Sequence, residues 1–217
     1  MSLKLLGIPL SNYYNMVKHA LMHKGLEFEE VMTRPSQEAE FLVKSPMGKV
    51  PVLETAHGCL TETDAILDYL EETCPQNPMF PTDPFARARV RQLMKTQELY
   101  VEGPAHELIM AIFGGEVPEH VKANSQPAAR KGLAAIGRLV KFSPWIAGEQ
   151  ITFADILVFY SFTLSNRLTG MVYGWDMLAE VPGLAEWYEQ FSNLEITAKV
   201  MADNKAASEA MANRIKV

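Results

Sequence analysis

Cysteine is scarce in this chain, with Cys59 and Cys74 its only two. Two isolated thiols build neither a disulfide framework nor a metal site of recognisable ligand spacing. Long hydrophobic runs are missing too. No apolar stretch approaches the roughly 20 residues that span a bilayer, and Met1–Ile8 carries one lysine and no signal-peptide apolar core or cleavage site. Positive charge is not in excess: 20 Lys and Arg stand against 26 Asp and Glu, a net charge of −6. That balance argues against a nucleic-acid surface. There is no internal repeat and no low-complexity tract. These absences point to a cytoplasmic, reduced protein with neither a membrane nor a nucleic acid as partner. What remains is ordinary core material, 48% hydrophobic over 217 residues, enough for one large domain or two small ones.

Leu3 to Ile8 is a short apolar run stopped by Pro9 and reads as a buried strand. Ser11 then precedes a segment with apolar Met16, Val17, Ala20 and Leu21, the stripe of a half-buried helix, which Gly25 ends. Phe28 to Met32 reads as a second strand and Glu38 to Lys44 as a short helix. Val52–Glu54 and Cys59–Thr61 flank Ala56-His57-Gly58 as a hairpin. A helix from about Thr63 to Thr73 completes a β-α-β-α-β-β-α order. Pro75, Pro78, Pro81 and Pro84 then mark a linker over 79–87. Beyond it no strand is expected. Asp83 to Phe113 is helical with a kink at Gly103-Pro104, and Pro118 to Val140 is helical with weak points at Gly132 and Gly137. Helices are further expected over Phe153–Leu168, Leu184–Ser192 and Ile196–Ala206. Thr152-Phe153-Ala154-Asp155 fits a capping box, with Ile151 and Ile156 placed as its hydrophobic staple.

The most informative stretch is Ser45-Pro46-Met47-Gly48-Lys49-Val50-Pro51-Val52-Leu53, followed by Leu60-Thr61-Glu62-Thr63-Asp64-Ala65-Ile66. Pro51 cannot donate to a ladder, so it belongs at a strand start, an edge or a bulge. With a cis Val50–Pro51 bond, the backbone of Val50 would face outward and pair with an extended, peptide-like ligand. The helix opening at Glu62-Thr63 offers free N–H groups to a carboxylate. Each feature has a plainer reading: an edge proline in trans, or Thr61 or Thr63 as a simple cap. Their order and spacing resemble the glutathione-binding half of the cytosolic glutathione transferases, specifically the serine-type, bacterial-like members. In that family an Asn-Pro-x-Gly segment leads to Val-Pro, and a (Glu/Gln)-Ser pair opens the next helix. Here Ser45 stands for the Asn and Thr63 for the Ser. Gly148 to Asp155 similarly resembles the family's folding motif in its second half.

The resemblance implies a thioredoxin-like α/β domain over 1–78, a linker over 79–87 and an all-α helical bundle over 88–217. It implies glutathione as co-substrate, no metal, a small hydrophobic electrophile as second substrate, and a twofold homodimer. In such a domain a disulfide-exchange enzyme would carry Cys-x-x-Cys after the first strand, where this chain has Ser11-Asn12-Tyr13-Tyr14. Ser11 is a helix N-cap on one reading. On the other its hydroxyl donates to the sulfur of glutathione, whose thiol, with a free pKa of about 8.5, reacts only as thiolate. Tyrosine-type members act from an earlier position, here Gly7. Asn12, Tyr13 or Tyr14 could share or replace the role of Ser11. The resemblance gives Lys49 the glycyl carboxylate, Val50 and Pro51 the cysteinyl backbone, Thr63 the γ-glutamyl carboxylate and Glu62 its ammonium. The family's further polar contact to the glycyl end falls at Phe41 here, so it is missing or supplied otherwise, with Lys44 as a substitute.

His19 and His23 lack the adjacent glutamate and third ligand of a zinc site and read as surface or partly buried helix residues. His106, Met110 and Phe113 lie at i, i+4 and i+7, as bundle core or, with Tyr14, as an electrophile pocket. Cys59 reads as an inert core thiol. Isomerisation or dehalogenation on the same scaffold, or a non-catalytic binding role, are the rival functions.

Overall fold

The computed structural model describes residues 3–215, with side chains described to residue 213. Packing divides the chain into two compact units: residues up to Pro78 together with those from Asn193, and Met79–Ser192. In the first unit lie β1 (Leu3–Gly7), α1 (Asn12–His23), β2 (Phe28–Met32), α2 (Ala39–Leu42), β3 (Val52–Thr55), β4 (Gly58–Leu60) and α3 (Thr63–Thr73). The sheet order is β2-β1-β3-β4, with β1 parallel to β2 and antiparallel to β3, and β4 antiparallel to β3. This is the crossover-plus-hairpin arrangement of a thioredoxin-like domain. β1 is central, with Leu3, Leu5 and Leu6 buried and Lys4 partly exposed. Its Lys4 pairs with Glu29 at 3.1 Å.

The core joins Leu3, Leu5 and Leu53 of the sheet to Tyr14, Val17 and Leu21 of α1 and to Ile66 and Leu70 of α3. Gly25, at φ +67°, follows α1, and Leu26 N–H returns to the Leu21 carbonyl in a glycine-type helix stop. Lys24 just before it is wholly buried. Its Nζ pairs with Glu71 at 2.7 Å and donates to the Cys74 carbonyl at 3.0 Å, so it closes the C-terminal end of α3. Cys59 departs from the expected core position. It is partly exposed because β4 is a three-residue edge strand, covered on one side only by β3. The helix expected over 38–44 shortens to a single turn, Ala39–Leu42.

In the second unit, α4 (Pro84–Gln97) starts from Asp83, whose carboxylate accepts the Ala86 N–H at 2.7 Å. Met79 and Phe80, at the start of the 79–87 stretch, are buried, with Phe80 edge-on to Phe153, whereas residues 82–85 are exposed. α4 runs into a π-helical turn, Glu98–Glu102, and then α5 (Gly103–His106), so the chain changes pitch at the expected Gly103-Pro104 kink. A 3₁₀ turn over Ile109–Phe113 precedes α6 (Glu119–Leu139), α7 (Phe153–Tyr173) and α8 (Leu184–Ser192). The unit is helical apart from one isolated bridge, Trp145–Gly148.

Thr152 and Asp155 form the capping box of α7. Asp155 Oδ2 accepts Thr152 N–H at 2.8 Å, while Oδ1 accepts Ile146 N–H at 2.9 Å and Trp187 Nε1 at 3.1 Å. The last helix, α9 (Glu195–Ile215), packs with the first unit. Among the described residues no helix is long and apolar enough to cross a membrane.

Candidate functional site

Strand registers place the sequence-predicted residues of the first unit at one end of the sheet. Leu6 faces Val52, so the start of β3 lies beside the end of β1; Leu53 faces Leu60, so β4 ends there too. The Ile8–Ser11 loop, Lys49-Val50-Pro51 and Glu62-Thr63 therefore emerge at the same end. The parallel β2 ends there as well, with Thr33 N–H bonded to the Gly7 carbonyl at 3.0 Å.

Ser11 is the N-cap of α1, and its Oγ accepts the Tyr14 N–H at 3.3 Å. Acceptance uses a lone pair and leaves the hydroxyl hydrogen available to donate. Its own N–H returns to the Ile8 carbonyl at 3.0 Å, closing a turn with Pro9 and Leu10 at the centre. Tyr14 does not join the site. Its ring is fully buried and its hydroxyl donates to Glu30 Oε2 at 2.5 Å. Burial and the Glu30 carboxylate push that hydroxyl far above the usual phenol range. The expectation of Tyr14 as a thiol activator or electrophile-pocket residue is therefore corrected: core packing claims it. The same packing explains Gly7, where a Cβ would meet the Tyr14 ring at 2.3 Å, so neither a tyrosine nor any other side chain fits at that position.

The Ser45–Val50 turn is built on a buried hydroxyl. Ser45 Oγ accepts Lys49 N–H at 3.0 Å and donates to the Lys49 carbonyl at 2.8 Å, which fixes the backbone leading into Val50. Gly48 has φ +66° and a Cβ there would meet the Ser36 carbonyl at 2.2 Å, so only glycine is accommodated. The Val50–Pro51 bond is cis. Lys49 points into solvent, whereas Lys44, the possible substitute for Phe41, is held by Glu54 at 2.7 Å. Neither Thr61 nor Thr63 caps α3. That place is held by Glu62, at φ 65° and ψ 114°, without a side-chain cap bond. A non-glycine residue in that region marks a backbone held by its surroundings, a pattern concentrated at ligand sites.

His106, Met110 and Phe113 belong to the second unit. They are not one α-helical face, because α5 ends at His106 and the next turn is 3₁₀. Met110 and Phe113 are each 52% exposed, which overturns their reading as bundle core. His106 Nδ1 lies 4.0 Å from the buried Glu102 carboxylate.

Several residues escape the sequence reading. Asn15 Nδ2 and Asn204 Nδ2 both donate to the Pro9 carbonyl, at 2.9 and 2.7 Å. Lys18, buried between Glu30 at 2.7 Å and Asp203 at 2.8 Å, feels burial against its charge, yet hydrogen bonds to Asp203 and Glu30 outweigh it and hold the ammonium above its ordinary range. The available signal was a polar face on α1: Asn12, Asn15, Lys18 and His19 are all buried. His19 lies deeper than expected, and burial, with His23 beside it, pushes its imidazole down to about 3. Among the described residues no group of three His, Cys, Asp or Glu is placed to hold a metal ion.

Comparison with known proteins bears on this geometry. Residues 5–78 match the model of the glutathione S-transferase N-terminal domain, and residues 92–195 that of its C-terminal domain. A glutathione S-transferase of Pseudomonas putida strain F1 is 42% identical over 215 residues, covering 99% of this chain and 98% of that one. A maleylacetoacetate isomerase of Pseudomonas aeruginosa is 26% identical over 185 residues, 81% of this chain and 87% of that one. Among solved structures, a glutathione S-transferase of Methylobacterium radiotolerans, in complex with glutathione sulfonate, aligns at a TM-score of 0.74 with 25% identity, covering 92% of this chain and 94% of that one. With both halves matched in order and the Pseudomonas putida identity running from end to end, the chain belongs to the glutathione S-transferase family.

Proposed function

We propose that this protein joins the thiolate of glutathione to a small hydrophobic electrophile. The observation that carries this reading is the convergence of the Ser11 turn, Val50-Pro51 and the Glu62-Thr63 helix start at one end of the sheet. Val50, preceding the ladder that opens at Val52, presents main chain to the cysteinyl part of glutathione. The first N–H groups of α3 and the Thr63 hydroxyl take the γ-glutamyl carboxylate, Glu62 takes the ammonium, and Lys49 takes the glycyl carboxylate as a point charge. Ser11 donates its free hydrogen to the sulfur and favours thiolate over thiol. The thiolate then forms a C–S bond at an electrophilic carbon; the leaving group departs with the bonding pair and the thiol proton passes to solvent. His106, Met110 and Phe113 are proposed to contribute to the electrophile pocket.

The reading extends to a twofold homodimer, a cytoplasmic location, a detoxifying role, and the division into domains over 1–78 and 88–217 joined by 79–87. The family-model matches at 5–78 and 92–195 support that division by sequence, although α9 packs with the first unit. Glutathione-dependent isomerisation is a second reading, favoured by the likeness to maleylacetoacetate isomerase. Retention on immobilised glutathione, followed by assay against a panel of aryl halides, alkyl halides and cis-enediones, separates them. Conjugates with released halide support transfer, whereas a cis-to-trans product with glutathione unconsumed supports isomerisation. Absence of retention would remove the glutathione reading altogether.

A further inference from the structure

The turn that carries Ser11 is held from a distant part of the chain. Its central carbonyl, that of Pro9, accepts two amide donors. Asn15 is local, reaching back from α1. Asn204 comes from α9, 195 residues away in sequence, and makes the shorter contact at 2.7 Å. The residue before it, Asp203, pairs with Lys18 of α1 at 2.8 Å. Lys18 also bonds Glu30, which accepts the Tyr14 hydroxyl, and the Tyr14 N–H donates to Ser11 Oγ. The Ser11 hydroxyl is thus reached from α9 by two routes, one through Pro9 and one through Lys18, Glu30 and Tyr14. A β-turn's central peptide is its most easily rotated unit, since one plane flip interconverts turn types while the ends stay fixed. Two donors on that carbonyl hold the plane in one orientation, and a charge-assisted pair one residue away sets the register of the helix that delivers one of them.

We propose that α9 is a clamp on the thiol-activating turn, with Asn204 a positioning residue for Ser11 and the Asp203–Lys18 pair its register. The proposal rests on the reading of Ser11 as the donor to glutathione sulfur.

The test compares Asn204→Leu, which keeps the volume and removes the donor, with Ser11→Ala, the double variant, and Val200→Ala. Val200 is a fully buried apolar residue of the same helix that lies outside both routes, and its truncation loosens α9 without touching the turn. The readouts are the thiolate absorbance titration of bound glutathione, kcat and KM with an activated aryl halide, and the melting temperature. Asn204→Leu is expected to raise the apparent pKa of the bound thiol and to lower kcat about fivefold to tenfold, the scale of one net hydrogen bond, with KM for glutathione within twofold. In the Ser11→Ala background the same substitution should add nothing, and Val200→Ala should lower the melting temperature without moving the titration. A titration unmoved by Asn204→Leu but shifted by Ser11→Ala overturns the clamp alone, as does an equal shift in Val200→Ala. A titration unmoved by Ser11→Ala overturns both the clamp and the reading beneath it.

Discussion

Ser11, on the proposed reading, serves a helix and a ligand at once. As N-cap it accepts the Tyr14 N–H, and the hydrogen on the same oxygen is the one proposed to meet the thiolate. Ser11→Ala should therefore lower turnover by about 10²-fold, by analogy with oxyanion donors, and raise the pKa of the bound thiol while glutathione affinity changes little. A cap-only role would instead lose about 1 kcal/mol of stability and leave the pH–rate profile in place. His19 makes a second prediction at this scale. Its imidazole is held neutral down to about pH 3 in the fold but takes up a proton near 6.5 when unfolded. The unfolded state binds more protons across that window, so stability is lost as pH falls from about 6.5 toward 3, by about 2 kcal/mol at pH 5 from this group alone. Denaturant midpoints measured against pH should flatten in His19→Leu; an equally steep fall would assign the effect elsewhere.

Two helix starts illustrate opposite uses of the same geometry. α7 closes its start with its own side chain: the Asp155 carboxylate takes the Thr152 N–H at the cap, the Ile146 N–H of the preceding loop and the Trp187 indole, and burial pushes it above the usual carboxylate range. Asp155→Ala strands those donors and should destabilise by about 3 kcal/mol or more, read in urea titrations, with glutathione affinity of the folded fraction unchanged. α3 begins differently. Glu62 caps it from a left-handed backbone without a side-chain bond, and the proposed site turns this helix start toward the γ-glutamyl carboxylate. The double variant Glu62→Ala with Thr63→Ala should weaken glutathione binding more than tenfold while the melting temperature moves less, because Glu62 is exposed and the buried Thr63 loses only a small side chain. Unchanged affinity in the well-folded variant would contradict the assignment of this helix to the γ-glutamyl group.

At the scale of the molecule, the proposed glutathione site is composed of segments that meet only when β1, β3 and β4 pair. A ligand that binds such an assembled site stabilises the folded state by mass action. Glutathione at about a hundredfold excess over its dissociation constant should add roughly 2.7 kcal/mol, seen as an upward thermal shift. No shift at millimolar glutathione would count against the site as built. Residues 193–215 belong to this same unit, since they pack with those before Pro78.

Local signals carried much of this protein. The apolar run of β1, the proline and glycine spacing around Val50-Pro51, the Thr152–Asp155 box and the prolines before α4 are each fixed by neighbours in sequence, through backbone sterics and capping, so they are readable without a fold. Family membership was legible for the same reason, because its motif is a local loop and helix start. The burial of Tyr14 was not legible: an aromatic residue on a helix beside a candidate serine reads as well for a pocket as for a core, and only the close approach of β1 at Gly7 decides between them. Met110 and Phe113 turned outward because α5 ends at His106 and the 3₁₀ turn after it breaks the phase on which their common face depended. Asn204 and Asp203 were invisible for a different reason, since their partners Pro9 and Lys18 stand at the other end of the chain and no local pattern records them. The sequence by itself determined the elements, the family and the segments of the site, all set by short-range chemistry. Tertiary structure alone decided which polar groups are paired and which remain to meet a ligand, because that pairing is made between residues the chain brings together only on folding.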